Sequence, residues 1–294
     1  MFNRKTILAF VLVFVVLMTF LALGSFDYNF SHSIINTDSL WANFFNQFGE
    51  IPAILLMLIG TTILFGARKK DILWRNILSP VLALPFIALF SYVITSMPVR
   101  YMYENHATGF GEDIPQVLNI TTIILAIIIF VTTMFIERKI DDSKFKEMRK
   151  AAILFILLVV GEIILVTVVK EVWGRPRMRI LESIDGFKRW YEINGPALNN
   201  NYKSFPSGHT SNAFSVIAYT LFFSYFKNVN KKLVMIIAVI WGVLVAVSRV
   251  VLGAHFLSDV ITGGYITIFL FIILTILIFR YPKKGKFNNK ATSE

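Results

Sequence analysis

The chain has 294 residues, of which 56% are hydrophobic and only 16% are charged, and its 29 lysines and arginines give it a formal net charge of +11. In soluble globular domains about a quarter of all residues are charged, so this composition excludes an ordinary soluble domain and indicates a bilayer protein. The absence of cysteine excludes disulfides, thiolate metal sites and cysteine nucleophiles.

Apolar segments recur along the whole chain, and a segment of about 20 residues is long enough to cross a hydrocarbon core of about 30 Å. They lie near residues 6–24, 51–67, 77–97, 115–136, 151–172, 211–226, 233–250 and 260–280. No small-residue cleavage site follows the first segment, which we therefore interpret as a retained span. The sequence predicts an all-α fold, a polytopic transmembrane helical bundle with about eight spans.

A short amphipathic segment lies between the first two spans. Leu40, Trp41, Phe44 and Phe45 recur at helical spacing after Asp38. This pattern suggests a short amphipathic helix in the outer membrane interface, and a loop packed on the spans is an equally good interpretation.

The distribution of basic residues predicts the orientation, because cytoplasmic connections are enriched in lysine and arginine. Most of the 29 basic residues lie in one set of alternate connections, namely 4–5, 68–75, 138–150, 227–232 and 280–290. Both termini are therefore expected in the cytoplasm. The basic residues form no continuous patch, which disfavours nucleic-acid binding.

Three polar clusters share the outer side of the membrane in this topology. They are residues 170–177 after the fifth span, 206–210 before the sixth, and 248–259 between the seventh and eighth. Polar groups at membrane depth are functional candidates by default, and these three clusters can meet.

The residue types in these clusters are suited to phosphoryl transfer, in which the protein positions a phosphoryl group and neutralises its oxygens. Lys170 and Arg177 are seven residues apart and would share one face if the helix continued, and Arg249 adds a bidentate donor. Ser207 and Gly208 precede a helical segment, where backbone N–H groups bind anions. Together they predict a phosphate site without a metal.

Two histidines and a carboxylate complete the predicted site. His255 and Asp259 are four residues apart, so on a helix the carboxylate can hold the ring N–H and stabilise the imidazolium. We predict His255 as the nucleophile. His209 is predicted to protonate the leaving lipid oxygen and then to deprotonate the attacking water.

The three clusters resemble the signature of the type 2 phosphatidic acid phosphatase (PAP2) superfamily of membrane lipid phosphatases. That signature reads Lys, six residues, Arg-Pro; then Pro-Ser-Gly-His; then Ser-Arg, five residues, His, three residues, Asp, and the second and third parts match residue for residue. The resemblance implies that His255, His209 and Asp259 are catalytic. It implies that the phosphate ligands include Lys170, Ser207, Gly208, His209 and Arg249.

The first part of the signature departs from the family pattern. Six residues separate Lys170 from Arg177, but Met178 stands where the family has proline. The available Arg-Pro pair is Arg175-Pro176, which leaves valine in place of the lysine. We prefer Arg177 as the phosphate ligand and keep Arg175 as the alternative.

The resemblance covers about residues 150–280, similar to the last four spans of the family's six-helix core. We divide the chain into N-terminal spans, residues 1–110, which are partly additional to that core, and a phosphatase core, residues 111–294. The resemblance suggests phosphatidic acid, phosphatidylglycerophosphate or undecaprenyl diphosphate as substrate, no cofactor and no metal. The expected location is a bacterial plasma membrane with the active site on the outer face.

Other polar residues carry weaker hypotheses. Glu162 lies inside the fifth span, where it could be a structural group or part of a substrate groove. His32 and His106 are interpreted as surface residues. Lys188, Arg189 and Lys203 could bind a second phosphate, but ordinary loop charges are the favoured interpretation.

The predicted function is hydrolysis of a lipid phosphomonoester or diphosphate through a phosphohistidine. One alternative is a lipid phosphotransferase that passes the same phosphoryl group to an acceptor hydroxyl. A lipid transporter is a further alternative, for which broken spans and paired midplane charges would be expected. Oligomeric state is not predicted.

Overall fold

The computed structural model describes residues 4–68 and 72–280. Within these residues the helices are α1 Arg4–Ala22, α2 Phe26–Ser33, α3 Leu40–Phe48, α4 Ile51–Gly66, α5 Leu73–Met102, α6 Gln116–Lys139, α7 Asp142–Trp173, α8 Gly208–Phe214, α9 Tyr219–Phe222, α10 Lys231–Val251 and α11 Leu257–Arg280. A two-residue antiparallel hairpin, β1 Glu104–Asn105 and β2 Phe110–Gly111, joins α5 to α6. Lys69, Lys70 and the basic C-terminal tail, on which the orientation prediction partly rests, lie outside the described residues.

Seven helical segments in the described part of the chain are long and apolar enough to cross a membrane. They are Arg4–Ala22, Leu40–Gly66, Asn76–Met102, Gln116–Lys139, Asp142–Ile180, Lys231–Val251 and Leu257–Phe279. They coincide with seven of the eight predicted spans, and the prediction of an all-α polytopic bundle is confirmed. The protein is an integral membrane protein.

The remaining predicted span, residues 211–226, is helical but interrupted. Short 3₁₀ segments follow α8 and α9, at Ser215–Ala218 and Phe223–Tyr225. The hydroxyls of Ser215, Thr220 and Ser224 each donate to the carbonyl three residues earlier. Hydroxyls that bond to the preceding turn in this way compete with the helical backbone pattern, which gives a physical reason for the tightened turns.

The interrupted segment nevertheless runs the length of the bundle. The backbone N–H of Ser207 donates to the carbonyl of Asp259 at the start of α11, so residue 208 lies near the end of α10. The chain must then reach Lys231, where α10 begins at the opposite end, about 30 Å away for a helix of 21 residues. This path supports an eighth crossing in the predicted position.

The amphipathic segment between the first two spans forms the helix α3. Leu40 is 88% exposed, whereas Ala42 and Asn46 are buried. Phe45 makes an edge-to-face contact with Trp241 of α10, with ring centroids 5.2 Å apart. The prediction of a helix is confirmed, and one face of that helix packs on the bundle. Its place in the membrane interface stays a prediction.

The packing of three helices holds the cluster-bearing ends together. Leu154, Phe155 and Leu158 of α7 are fully buried against Leu56 of α4 and Phe271 of α11. In a bilayer such helices associate through close van der Waals packing and polar contacts rather than through the hydrophobic effect. This packing places the last turn of α7 beside the first turn of α11.

The first turn of α11 is capped by residues from α2. The backbone N–H groups of Leu257 and Ser258 donate to Ser31 Oγ (3.0 Å) and Asp27 Oδ1 (2.9 Å). The first N–H groups of a helix have no partner within the helix and need one from elsewhere. The N-terminal region therefore supports the helix that carries Asp259.

Candidate active site

The three polar clusters meet at one end of the bundle and are joined by backbone hydrogen bonds. The N–H of Ser204 donates to the carbonyl of Arg175 (3.1 Å), and that of Ser207 donates to the carbonyl of Asp259 (3.0 Å). The N–H of Arg179 donates to the carbonyl of Gly253 (2.8 Å). The predicted site residues therefore lie around a single centre.

Asp259 is held rigidly beside His255. Its carboxylate accepts from Arg175 Nη1 (2.5 Å), Ser204 Oγ (2.5 Å) and the backbone N–H of Phe256 (2.9 Å). His255 is buried, and its Nδ1 lies 3.5 Å from Asp259 Oδ2, beyond a normal hydrogen bond. Catalytic hydrogen bonds are often long before substrate binds, and this geometry directs Nδ1 toward the carboxylate.

The electrostatic surroundings favour the neutral form of His255. Burial lowers the pKa of His255 from its ordinary value, and the positive charges of Lys170, Arg177 and Arg249 lower it further. Because an imidazole is neutral above its pKa, this shift extends toward acid the pH range in which the ring of His255 is neutral.

A direct titration checks this shift. We expect the ring of His255 in substrate-free protein to titrate by NMR with a midpoint below its ordinary value of about 6.5. Lys170→Met should raise that midpoint, because it removes a neighbouring positive charge. The resonance that disappears in His255→Gln would be assigned to His255. A midpoint at or above about 6.5 would contradict the prediction.

The two candidate arginines of the first cluster have different environments. Arg175 is fully buried, and its guanidinium bonds to Asp27, Asp259, Ser258 and the carbonyl of Lys188. Arg177 uses Nε and Nη2 to bond the backbone and side-chain oxygens of Asn200, at 2.9 and 3.1 Å. Its Nη1 takes no part in these bonds, so Arg177 retains a donor for an anion.

The expected continuation of the helix through the first cluster is wrong. Helix α7 ends at Trp173, and Gly174 adopts a left-handed conformation with φ of 55°. A Cβ at this position would lie 2.2 Å from the carbonyl oxygen of Gly195, so only glycine fits. Lys170 reaches the site from the helix, whereas Arg177 reaches it from extended chain.

Lys170 and Arg249 complete the cationic set around His255. Lys170 Nζ donates to the carbonyl of Lys203 (2.7 Å). Arg249 is 3% exposed and donates to the side chain of Asn46, while its Nε has no hydrogen-bond partner among the described residues. A buried guanidinium with an unused donor is prepared to bind an anion.

Ser207 and Gly208 lie at the start of α8, as predicted. The Ser207 hydroxyl oxygen accepts from Thr210 Oγ1 (3.0 Å) and more weakly from the N–H of Thr210 (3.4 Å), which leaves its own hydrogen available. A Cβ on Gly208 would lie 3.7 Å from Lys170 Cε, so the second cluster directly adjoins the first. A Cβ on Gly263 would meet the carbonyl oxygen of Ser207 at 2.4 Å, so glycine allows α11 to approach it.

His209 lies against residues from the N-terminal half of the chain. Its Nδ1 is 3.8 Å from Glu50 Oε1, and its ring lies against that of Tyr101 in a tilted contact with the centroids 4.7 Å apart. Glu50 also bonds Tyr101 and accepts from Asn212 Nδ2 (2.8 Å). His209 Nε2 has no hydrogen-bond partner in the described part of the chain and is available to a substrate.

Sequence reasoning did not find several residues that contact the site. Asp27, Asn46 and Glu50 are all buried, and each precedes the three clusters in the chain: Asp27 lies in α2, Asn46 in α3, and Glu50 directly before α4. Each is a polar residue beside an apolar segment, which is the signal that could have singled it out. Their partners could not be inferred, because they lie more than 140 residues away along the chain.

The weaker candidates are placed as follows. Glu162 is fully buried, and its carboxylate makes no hydrogen bond within the described residues, so neither of its two interpretations is confirmed. Lys203 pairs with Glu171, and Arg189 is exposed. His106 is exposed, as predicted, but it lines a polar pocket next to Arg249.

Comparison with known proteins agrees with this site. Residues 150–283 match the family model described as the PAP2 superfamily, and this region contains all three clusters. This region belongs to the PAP2 superfamily. The resemblance seen in the sequence is therefore confirmed, and the PAP2 region begins within α7 and ends at about the end of α11.

Part of the chain is also similar to a named bacterial protein. Phosphatidylglycerophosphatase B of Bacillus subtilis (strain 168) is 43% identical over 83 residues, which are 27% of this chain and 41% of that protein. The chain thus spans about two fifths of the length of the curated relative it matches. The comparison with solved structures gave no match.

Proposed function

We propose that the protein is a membrane lipid phosphatase that hydrolyses a lipid phosphomonoester or diphosphate through a phosphohistidine on His255. The observation that carries the proposal is a buried imidazole whose Nδ1 faces a fixed carboxylate, with Lys170, Arg177 and Arg249 around it. A nucleophile with an orienting group and adjacent cations is the arrangement that phosphoryl transfer requires.

In the first step, Nε2 of neutral His255 attacks phosphorus and the bond from phosphorus to the leaving oxygen breaks. The leaving group is the lipid alkoxide of a monoester or the lipid phosphate of a diphosphate. His209 donates a proton to that oxygen through Nε2, which lacks a protein partner. Asp259 stabilises the positive charge that the imidazole of His255 acquires.

In the second step, water attacks phosphorus in line with the N–P bond, which breaks and returns neutral His255. His209, now deprotonated, accepts a proton from that water, and inorganic phosphate leaves. The three cations hold the equatorial oxygens in both steps and neutralise the charge that develops there. Because side chains supply this charge, we propose that the reaction requires no metal ion.

The candidate substrates are phosphatidic acid, phosphatidylglycerophosphate and undecaprenyl diphosphate. The name of the Bacillus subtilis relative favours phosphatidylglycerophosphate among them. We place the site on the outer face of a bacterial plasma membrane, because the connections on the opposite side carry most of the basic residues.

Phosphate release from these three lipids tests the proposal. We expect purified protein in detergent with EDTA to release inorganic phosphate from at least one of them. Acceptor lipids bearing free hydroxyls should be present in parallel reactions, with phosphorylated acceptor and free phosphate both counted. A phosphorylated acceptor without free phosphate would identify a phosphotransferase, and loss of activity in EDTA would contradict metal independence.

A further inference from the structure

A polar pocket adjoins the proposed catalytic centre on the side of α3. It has a volume of about 290 Å³, close to the roughly 300 Å³ at which small-molecule pockets begin. Its walls include Asn43 and Asn46 of α3, Glu104 and His106 of the hairpin region, and the two arginines Arg179 and Arg249. The catalytic steps proposed above use only Arg249 of these residues.

Arg179 has donors that nothing in the described residues satisfies. Its Nε and Nη2 are shielded from solvent and make no hydrogen bond there, and the same holds for Nε of Arg249. Buried polar groups in folded proteins are nearly always hydrogen-bonded, and an unpaired donor on a charged group is costly. Two guanidinium groups with unused donors on one pocket indicate an anionic ligand.

The electrostatics of the pocket agree with this interpretation. Burial and the positive charge of Arg179 lower the pKa of His106, and Arg177 and Arg249 act in the same direction. Glu104 opposes them. Two guanidinium groups and one carboxylate therefore line the pocket. The guanidinium groups suit an anion, and the carboxylate can accept hydrogen bonds from hydroxyls on the group that carries the anion.

The pocket is connected to the catalytic centre by the chain itself. Ala254, in its wall, directly precedes His255. The backbone N–H of Arg179 donates to the carbonyl of Gly253 (2.8 Å), which fixes the start of the Arg179 side chain beside the same loop. One substrate molecule can therefore occupy both places.

We propose that this pocket binds a second phosphate group of the substrate, joined through a short polyol to the phosphomonoester that is cleaved at His255. The proposal rests on the proposed lipid phosphatase function and adds a specificity site, with Arg179 as the residue that distinguishes one candidate substrate from the others. Phosphatidylglycerophosphate has this chemistry: a phosphodiester, a glycerol with a free hydroxyl, and a terminal phosphate. Arg179 would bind the phosphodiester, while Asn43, Asn46 and Glu104 are available to the hydroxyl.

The loop cations considered from the sequence are less suitable for this role. Lys203 is paired with Glu171, and Arg189 is exposed. The backbone carbonyl of Lys188 accepts from Arg175 Nε, which ties that segment to the buried ion-pair network. Arg179 differs from them because its donors are both shielded and unpaired.

The test compares phosphatidylglycerophosphate with phosphatidic acid of the same acyl chains, since both present a phosphomonoester and only the first has a second phosphate. We expect Arg179→Gln to lower the ratio of kcat/KM for phosphatidylglycerophosphate to kcat/KM for phosphatidic acid by about 10-fold, the worth of a lost hydrogen bond to a charged group. Arg179→Lys should restore part of the ratio. Arg189→Gln, an exposed arginine in the same connection, is the matched control and should leave the ratio unchanged.

Because both activities are measured on the same preparation, a general loss of folding lowers them together and leaves the ratio intact. An unchanged ratio in Arg179→Gln with a normal thermal unfolding midpoint would overturn the proposal. If that variant does not fold, His106→Glu, which places a negative charge at an exposed position of the same pocket, should lower the ratio instead, and an unchanged ratio would overturn the proposal. Absence of phosphate release by the unmodified protein from phosphatidylglycerophosphate, phosphatidic acid and undecaprenyl diphosphate alike would refute the proposed function itself, which is a separate outcome.

Discussion

His255→Gln is expected to reduce phosphate release by about four orders of magnitude or more, because the side chain that forms the covalent intermediate is lost. Glutamine is similar to histidine in volume and polarity, so the buried site should remain folded. Brief reaction of the unmodified protein with lipid carrying a ³²P-labelled terminal phosphate should leave an acid-labile, base-stable label on the protein, and His255→Gln should carry none.

A matched histidine variant distinguishes loss of the nucleophile from a general effect of removing a histidine. His32 lies exposed on α2 and stacks on Tyr28. His32→Gln should retain both activity and label. Substantial turnover by His255→Gln, or an equal label on both variants, would show that the phosphoryl group travels by another route.

The two arginines of the first cluster should respond oppositely to replacement, which is the second large effect. Arg175→Met removes the partner of two buried carboxylates, Asp27 at 3.0 Å and Asp259 at 2.5 Å. Breaking a buried ion pair from one side costs about 3–5 kcal/mol of unfolding free energy, which corresponds to a fall on the order of 10 °C in the unfolding midpoint. Because Asp259 also loses its support, kcat should fall as well.

Arg177→Met should leave the unfolding midpoint nearly unchanged, since the bonds of Arg177 go to the neutral oxygens of Asn200. Its kcat/KM should fall by about 100-fold, as expected when one donor to a transition-state oxyanion is removed. Thermal unfolding in detergent and steady-state kinetics on the same preparations measure both quantities.

A double variant tests whether Arg175 acts through the buried carboxylates. Adding Asp27→Asn to Arg175→Met removes one of the two buried carboxylate charges that lost their partner. The unfolding midpoint of the double variant should therefore lie above that of Arg175→Met alone. Arg189→Met, at an exposed position, is the control for loss of an arginine. If Arg175→Met kept its stability and changed only KM, Arg175 would be the phosphate ligand and the assignment to Arg177 would be wrong.

The sequence by itself determined the class of fold and singled out the residues of the candidate site. Runs of apolar residues of bilayer length have one stable form in lipid, because an isolated segment must satisfy all of its backbone hydrogen bonds internally. The spacing between His255 and Asp259 is local, and local periodicity fixes which side chains can face each other. The three clusters were likewise found without coordinates, because charged residues are rare in such segments and stand out.

Only the tertiary structure decided how those clusters are supported and which cations are free. The end of α7 at Gly174, rather than helical spacing, sets the direction of Arg177, and the left-handed turn follows from close contact with Gly195. Asp27 and Glu50 reach the site through contacts with residues more than 140 positions away, which no local pattern encodes. The commitment of Arg175 to two carboxylates, and the unused donors of Arg179, depend on where distant chains pack, so they emerge only when the bundle is assembled.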